Sequence, residues 1–548
     1  MSSIAIGTYR GMKPISDPRF LEERFAVSAK NCWYTDGDLR PIYGNTLMPE
    51  VTLTEGTLTI FPYETDTQTY WFSWNKIVDA CNSPIPNDQY QRVYFTGDGV
   101  PRYTRNDIAI GANLPNASYK LGIPAPTEPI QASLGPDSAG PREENPIDED
   151  IIDASDDESR LYVYTWVSGT GEEGPPSPVS NEIVLPDPEV NSVELILPPL
   201  GVNEQDIQKR RIYRTATSGG VTDFYLVDEI DVEILSYNDR KTTAELGSVL
   251  VTGNYFPPPE ELVGLTSLPN GVLAGFYDNV FCPAYPNIPY AWNPDYQIAC
   301  DSKIVAIAAT PSGAVVLTED KPYIIQGYTP DSYSYMKLET SAACVSARSV
   351  VDMGTAVIYA SGRGLEIIVS SEPRNLTEGV YSLEQWRDLK PETFDAYQYK
   401  GMYIAFYNDG TKTGALIFDP KNMDVTECDV FATAGYRFAT TEHLHIVIDD
   451  KMYKFDSDSE NPMNMLWQSK PFITPPYRYR VCKVRGERVS LSLLRDGVSI
   501  KNEVIPPYEY NGHTFRVPKG RGYEWGIAIT GTGMVRDIQL GQSKRDLR

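Results

Sequence analysis

The chain has 548 residues, enough for three or four domains at ~100–200 residues each. Its 48 Lys+Arg against 74 Asp+Glu leave a net charge of −26, which argues against a nucleic-acid clamp built on a dominant basic face and against docking on anionic membrane. A hydrophobic content of 41% supports packed cores, and 36 Tyr, 41 Gly and 43 Pro beside only 3 His point to a turn-rich, all-β protein without His-driven chemistry.

The first 57 residues read as an extended arm with one helix. Asp17 suits the N-cap and Pro18 the first helical position, and Phe20, Leu21, Arg24, Phe25 and Ser28 recur at helical spacing, so a helix is predicted to about Lys30. Met1–Gly7 has no basic start and no apolar run of leader length. No apolar stretch approaches the ~20 residues of a membrane helix.

From residue 58 the chain reads as strand after strand. Residues 58–129 read as a first propeller part, with Thr57–Asn106 as an early blade, closed by the Pro-rich linker Leu121–Pro129. Residues 130–256 differ in composition. An acidic run holding Asp148, Glu149, Asp150, Asp153, Asp156, Asp157 and Glu158 precedes strands at 10–15-residue spacing, and the stretches "YTWVSGTGEEGPPSPVSN", "KRRIYRTATSGG" and "FYLVDEI" resemble a fibronectin type III-like sandwich. Residues 257–474 return to hairpins 40–50 residues apart, the period of a four-stranded propeller blade. Ser382 and Gln385 form a capping box for a short helix within this region. Residues 475–548 read as a final β-sandwich. The fold class is therefore all-β: a propeller of about six blades interrupted by a sandwich, with a C-terminal sandwich. Several unrelated β domains are the alternative.

Local catalytic signatures are weak. The seven Cys are scattered and never in a CxxC pair, the pattern of buried free thiols. His443 and His445 alternate on one strand face without a third ligand, and His513 follows a turn. Gly169-Thr-Gly-Glu-Glu-Gly174 fits the letters of GxGxxG, but its Pro-rich flank does not open a helix. Asp456-Ser-Asp-Ser-Glu460 has the first three carboxylates of a calcium loop but lacks the Gly and the final Glu, and reads as an exposed turn. No metal or cofactor is expected. A glycosidase carboxylate pair remains open, because 74 acids can always supply one once folded.

Three stretches, "AKNCWYTDGDLRPIYG" (29–44), "ACVSARSVVDMGTAVIYASGRGL" (343–365) and "GRGYEWGIAITGTGMVRDIQLG" (520–541), resemble the nozzle, or tail tubular protein B-like, propeller hubs of short-tailed bacteriophages. The resemblance covers residues 1–120 and 260–548, with the sandwich as an insertion. It implies a virion protein of the tail, assembled in the host cytoplasm, that forms a hexameric ring, contacts an adaptor or tube protein and tail fibres, and gates and conducts DNA without binding it specifically. No enzymatic activity is implied. The physical case is compatible, since a wall of carboxylates repels a duplex and lets it slide. The acidic run 148–158 is the candidate for the channel, or for a solvated loop. Tyr323, Tyr328, Tyr333 and Tyr335 are candidate interface residues, since Tyr supplies rigid amphipathic area. A propeller glycan hydrolase or glycan-binding tail protein is the alternative.

Overall fold

The computed structural model describes residues 3–136, 158–185, 191–218, 221–507 and 512–547. The chain is all-β and divides into two compact units, one of residues 1–77, 301–326 and 334–548, the other of 78–300 and 327–333. Among the described residues no helix is long and apolar enough to cross a membrane.

In the second unit, two four-stranded antiparallel meanders flank the inserted sandwich. Asp79–Asn82, Val93–Thr96, Arg102–Thr104 and Tyr119–Lys120 form one; Val263–Leu268, Val272–Tyr277, Val280–Pro283 and Ile298–Ala299 form the other. They pack side by side as blades do. Leu265 N donates to Thr96 Oγ1 at 3.3 Å and Gly264 N to Asp79 Oδ2 at 3.1 Å. Tyr94, Tyr103, Leu262, Leu273 and Cys282 share their core. Each hairpin alone would leave a face wet, so the stacking of meanders is what buries it. The insertion between them puts Gln131–Leu134, Val193–Ile196 and Ser236–Asp239 in one sheet and Tyr162–Ser168, Ile207–Ser218 and Val221–Asp231 in another, with Glu158–Arg160 paired to Ile183–Leu185. Ile130, Tyr162, Tyr164, Trp166, Val193, Leu195, Ile212 and Val227 fill the space between the sheets.

The first unit holds further meanders. Meanders begin at Ile304–Thr310, Val351–Asp352, Asp395–Tyr399 and Ala434–Arg437, and these first strands lie beside one another in that order. Ala434–Arg437 in turn lies beside the N-terminal strand Thr59–Glu64. The meander starting at Ala434–Arg437 has only three strands of its own. Its fourth, Gly44–Leu47, comes from the N-terminal arm and pairs with Lys451–Asp458, so that two distant parts of the chain are stitched into one blade.

Residues 57–106 are not one blade. Thr59–Glu64 and Thr69–Trp74 form a separate two-stranded hairpin, because Trp71 turns its ring onto Tyr436, Phe438 and His445, at centroid separations of 6.1, 5.7 and 5.0 Å. The predicted helix over 17–30 is also absent. Asp17 does cap, accepting from Arg19 N at 2.9 Å, but only the single 3-10 turn Pro18–Phe20 follows. Ala26–Lys30 is a strand, held antiparallel to Met465–Ser469 and touching Asp424–Cys428 in parallel at Lys30–Glu427. As a strand, Ala26–Lys30 gains a ladder on each side that a helix would forgo, while Leu21 and Phe25 are still buried and Phe20 stays 82% exposed. The capping box at Ser382 forms as predicted: Ser382 Oγ accepts from Gln385 N at 3.2 Å, Gln385 Oε1 accepts from Ser382 N at 2.9 Å, and Trp386 is buried.

The C-terminal strands form a two-layer core with help from the arm. Val481–Gly486, His513–Arg516 and Val535–Gly541 join Ser3–Ile6, Cys32–Thr35 and Asp38–Pro41 in a six-stranded sheet. Val489–Arg495, Val498–Ile505 and Gly522–Gly531 continue the ten-stranded sheet that begins with the Asp395–Tyr399 meander. Alternation along each strand puts Cys482, Val484, Ile538 and Leu540 against Leu491, Leu493, Trp525, Ile527 and Ile529.

Candidate functional site

The ionisable side chains that the fold buries are gathered into a few clusters. In the sandwich, period-2 parity along Ile207–Ser218 places Arg210, Ile212 and Arg214 on the core face, and all three are fully buried. Arg210 lays its guanidinium over Trp166 at 4.9 Å and Tyr164 at 5.7 Å, and donates to the carbonyls of Pro198 and Val232. Asp239, also fully buried, collects the other charges. Its Oδ2 accepts from Arg214 Nη1 at 2.9 Å and from Tyr162 OH at 2.8 Å, with Arg160 Nη1 at 3.6 Å. Its Oδ1 accepts from Lys241 N at 3.0 Å. Arg160 also donates to Glu158 at 3.0 Å. The cluster ties the strand Tyr162–Ser168 to both layers of the sandwich.

The turn Gly169–Gly174 carries a second cluster in the same unit. Glu172 and Glu173 are buried, at 5% and 7% exposure. Glu173 accepts from Thr165 Oγ1 and Tyr213 OH, each at 2.7 Å, and from Arg211. Glu172 is paired with Arg92, whose guanidinium is forked onto Asp88 at 2.7 and 3.1 Å. Arg105 bridges to Asp206 at 2.7 Å. The glycine pattern thus marks a tight turn delivering two acids to fixed cations, joining blade to insertion.

Burial pushes the Glu172 carboxyl up to about 7, against the pull of Arg92. The folded protein therefore holds this proton more tightly than the unfolded chain, and stability falls as pH rises from about 4.5 to about 7. Glu172→Gln is expected to remove that part of the slope, so that the difference in denaturation midpoint between variant and wild type moves in the variant's favour across this window. A midpoint difference independent of pH there would contradict it.

In the first unit Asp456 is the hub. Its side chain is 1% exposed and accepts from Trp33 Nε1 at 3.1 Å, Tyr43 N at 2.7 Å, Tyr399 OH at 3.2 Å and Lys400 Nζ at 2.5 Å. The Lys400 ammonium also sits over the Trp33 and Tyr399 rings. The reading of residues 456–460 as an exposed turn holds for Ser459 and Glu460 but is corrected for Asp456, which lies inside the strand Lys451–Asp458, where the pairing of Gly44–Leu47 covers it. Elsewhere Asp395 pairs with Arg348 and Tyr397, and Asp424 accepts from Gly11 N at 3.1 Å; burial raises both carboxyls to about 6.

Of the acidic run, Asp148, Glu149, Asp150, Asp153, Asp156 and Asp157 lie outside the described residues, and Glu158 is Arg160's partner. Tyr323 is buried (3% exposed), and its hydroxyl accepts from Asp301 N at 3.0 Å. Tyr333 is half-buried, with Phe281 at 6.4 Å. Tyr328 and Tyr335 are 79% and 60% exposed. All seven Cys are buried and none is in a disulfide, and burial holds the thiols of Cys32, Cys81, Cys282, Cys344 and Cys428 up at about 12. His443 and His445 do not act together. His443 is exposed ahead of the strand, while His445 is packed on Trp71 and Phe438, its pKa lowered to about 4 by burial. His513 Nε2 meets Glu503 Oε1 at 3.0 Å. Among the described residues no group of three or more His, Cys, Asp or Glu is placed to hold a metal ion.

The fold and its charge clusters define an all-β protein of propeller blades carrying an inserted and a C-terminal sandwich. No family model and no curated protein matches the chain. Solved structures with some likeness include Hsv2 of Kluyvelomyces marxianus, 8% identical at a TM-score of 0.25 over 57% of this chain and 95% of that one. The dihydro-heme d1 dehydrogenase NirN is 11% identical at 0.25, over 64% and 74%. An exo-beta-1,3-galactanase of Phanerochaete chrysosporium is 8% identical at 0.17, over 64% and 93%. The strand order described above, and not these distant likenesses, defines the fold.

Proposed function

We propose that the chain is a structural virion protein of a phage tail, assembling into a ring at the distal tube that gates and conducts DNA. The observation that carries this reading is a pair of strand edges, open among the described residues, that bear apolar side chains. Ser334–Lys337 ends its blade with Tyr335 and Met336 at 60% and 47% exposure, and Val498–Ile505 ends the ten-stranded sheet with Val498 and Val504 at 66% and 75%. An edge of this kind is an aggregation liability in a lone monomer and an asset in a subunit that meets neighbours. The buried ionisable clusters support it from the other side. Each described cluster fastens strands or loops to one another, a mechanical use of charge. The nozzle resemblance supplies the setting, and the net charge of −26 suits a conduit that must not grip its cargo.

The test is to purify the chain, measure its mass distribution in solution by mass photometry, and assay it against a panel of polysaccharides. Closed oligomers of one size without cleavage are expected. A monomer that cleaves glycan would replace this reading with the hydrolase one.

A further inference from the structure

The charge of −26 conceals a segregation. Residues 475–548 hold 14 Lys+Arg against 7 Asp+Glu, a net +7, so residues 1–474 carry −33. The excess is concentrated on one structure. On the strand Val481–Gly486, Cys482 and Val484 face the core, which turns Lys483 and Arg485 outward. Register places Arg516 opposite Val481 on the adjacent strand, hence on the same outer face and diagonal to Lys483. Asp537, opposite Arg485, is an acid of this face, at 3.3 Å from it, and two strands away in the same sheet Asp38 pairs with Arg40 and Arg536. Lys519 and Arg521 follow Arg516 and are exposed.

A second, independent feature coincides with it. Among the described residues both C-terminal sheets end in strands of this segment, His513–Arg516 and Val498–Ile505, each paired on one side only. The His513–Glu503 contact at 3.0 Å brings the two open edges together. Exposed Val498 and Val504 line one of them.

We infer that this basic double edge docks onto the acidic surface of a second copy of the chain. A subunit with one cationic, partly apolar edge and a strongly anionic remainder is self-complementary in the head-to-tail sense. Such contacts are heterologous, and they close into rings when the rotation allows. Like-signed faces repel, which sets the orientation, and opposite ones steer the encounter. The apolar valines and the unpaired edges favour a polypeptide occupant over a nucleic-acid duplex, whose phosphates would use the cations alone. The inference deepens the ring reading and rests on it.

The full chain and two charge-reversed variants, Lys483→Glu/Arg516→Glu and Lys519→Glu/Arg521→Glu, test it by mass photometry at low and high salt, with thermal melts to confirm folding. Wild-type assembly is expected to weaken about tenfold or more on raising salt, as screened charge contacts do. At least one variant with an unchanged melt is expected to assemble at least about tenfold more weakly. Folded variants that assemble like wild type would overturn the inference while leaving the ring reading intact. A wild-type chain that never assembles would overturn the ring reading itself. Fluorescence anisotropy with a labelled DNA duplex supplies the third arm: duplex binding lost in the variants, with assembly unchanged, would make the surface a nucleic-acid contact and overturn the docking of a second copy.

Discussion

Asp239→Ala is expected to unfold the inserted sandwich. The carboxylate is fully buried, as are Arg160 and Arg214, and it accepts from Arg214, Tyr162 and the Lys241 amide. Deletion leaves two guanidinium groups in the core, Arg160 bonded only to Glu158 among the described carboxylates, and breaking a buried pair in this way costs about 3–5 kcal/mol. That is a large fraction of the stability of a domain of this size. The check is a denaturation curve of the full chain, followed by proteolysis. An early transition is expected, with cleavage sites mapping between residues 130 and 256. A curve superimposable on wild type would show that the guanidinium groups find water or other acceptors, contrary to the packing described. Asp239→Asn should lie between the two, since it keeps one acceptor oxygen and loses the charge.

Asp456→Ala is the corresponding experiment in the first unit. Four donors converge on this side chain from the N-terminal arm and from the meander beginning at Asp395–Tyr399. Removing it leaves the half-exposed Lys400 without its counter-charge and the Trp33 indole N–H unpaired in the interior, for a loss of about 1–3 kcal/mol. The arm should then separate from its blade. Hydrogen exchange should rise first in Gly44–Leu47 and Cys32–Thr35. Exchange unchanged in those strands would mean that the ladder with Lys451–Asp458 holds the arm without Asp456.

Much of the strand content was legible because it is local. Val489-Ser-Leu-Ser-Leu-Leu alternates in sequence as it alternates in burial, and the Ser382–Gln385 capping box needs only four residues to declare itself. What was hidden depends on partners far along the chain. The Asp17-Pro18 signal is a valid start for a helix, but Ala26–Lys30 takes its ladder from residues more than 390 positions away. Asp456 looks like a turn residue until Trp33, 423 positions earlier, is placed beside it. One missed cluster did leave a trace. In Lys209-Arg-Arg-Ile-Tyr-Arg214, parity with Ile212 puts Arg210 and Arg214 on the apolar face, and two arginines on a core-facing stripe require buried acceptors. The tyrosines show the converse limit. Tyr323 and Tyr335 both belong to one hairpin of strands, yet the first is core and the second surface, a distinction set by their neighbours across the sheet.

In the proposed assembly, many copies close around a bore whose lining repels nucleic acid. A cryo-electron microscopy reconstruction of the purified, assembled full chain tests it most directly. A closed ring is expected, with residues 475–548 of each subunit at the contact with its neighbour and a predominantly acidic inner wall. A subunit that remains single, or a ring whose bore is lined by Lys483, Arg516, Lys519 and Arg521, would contradict it.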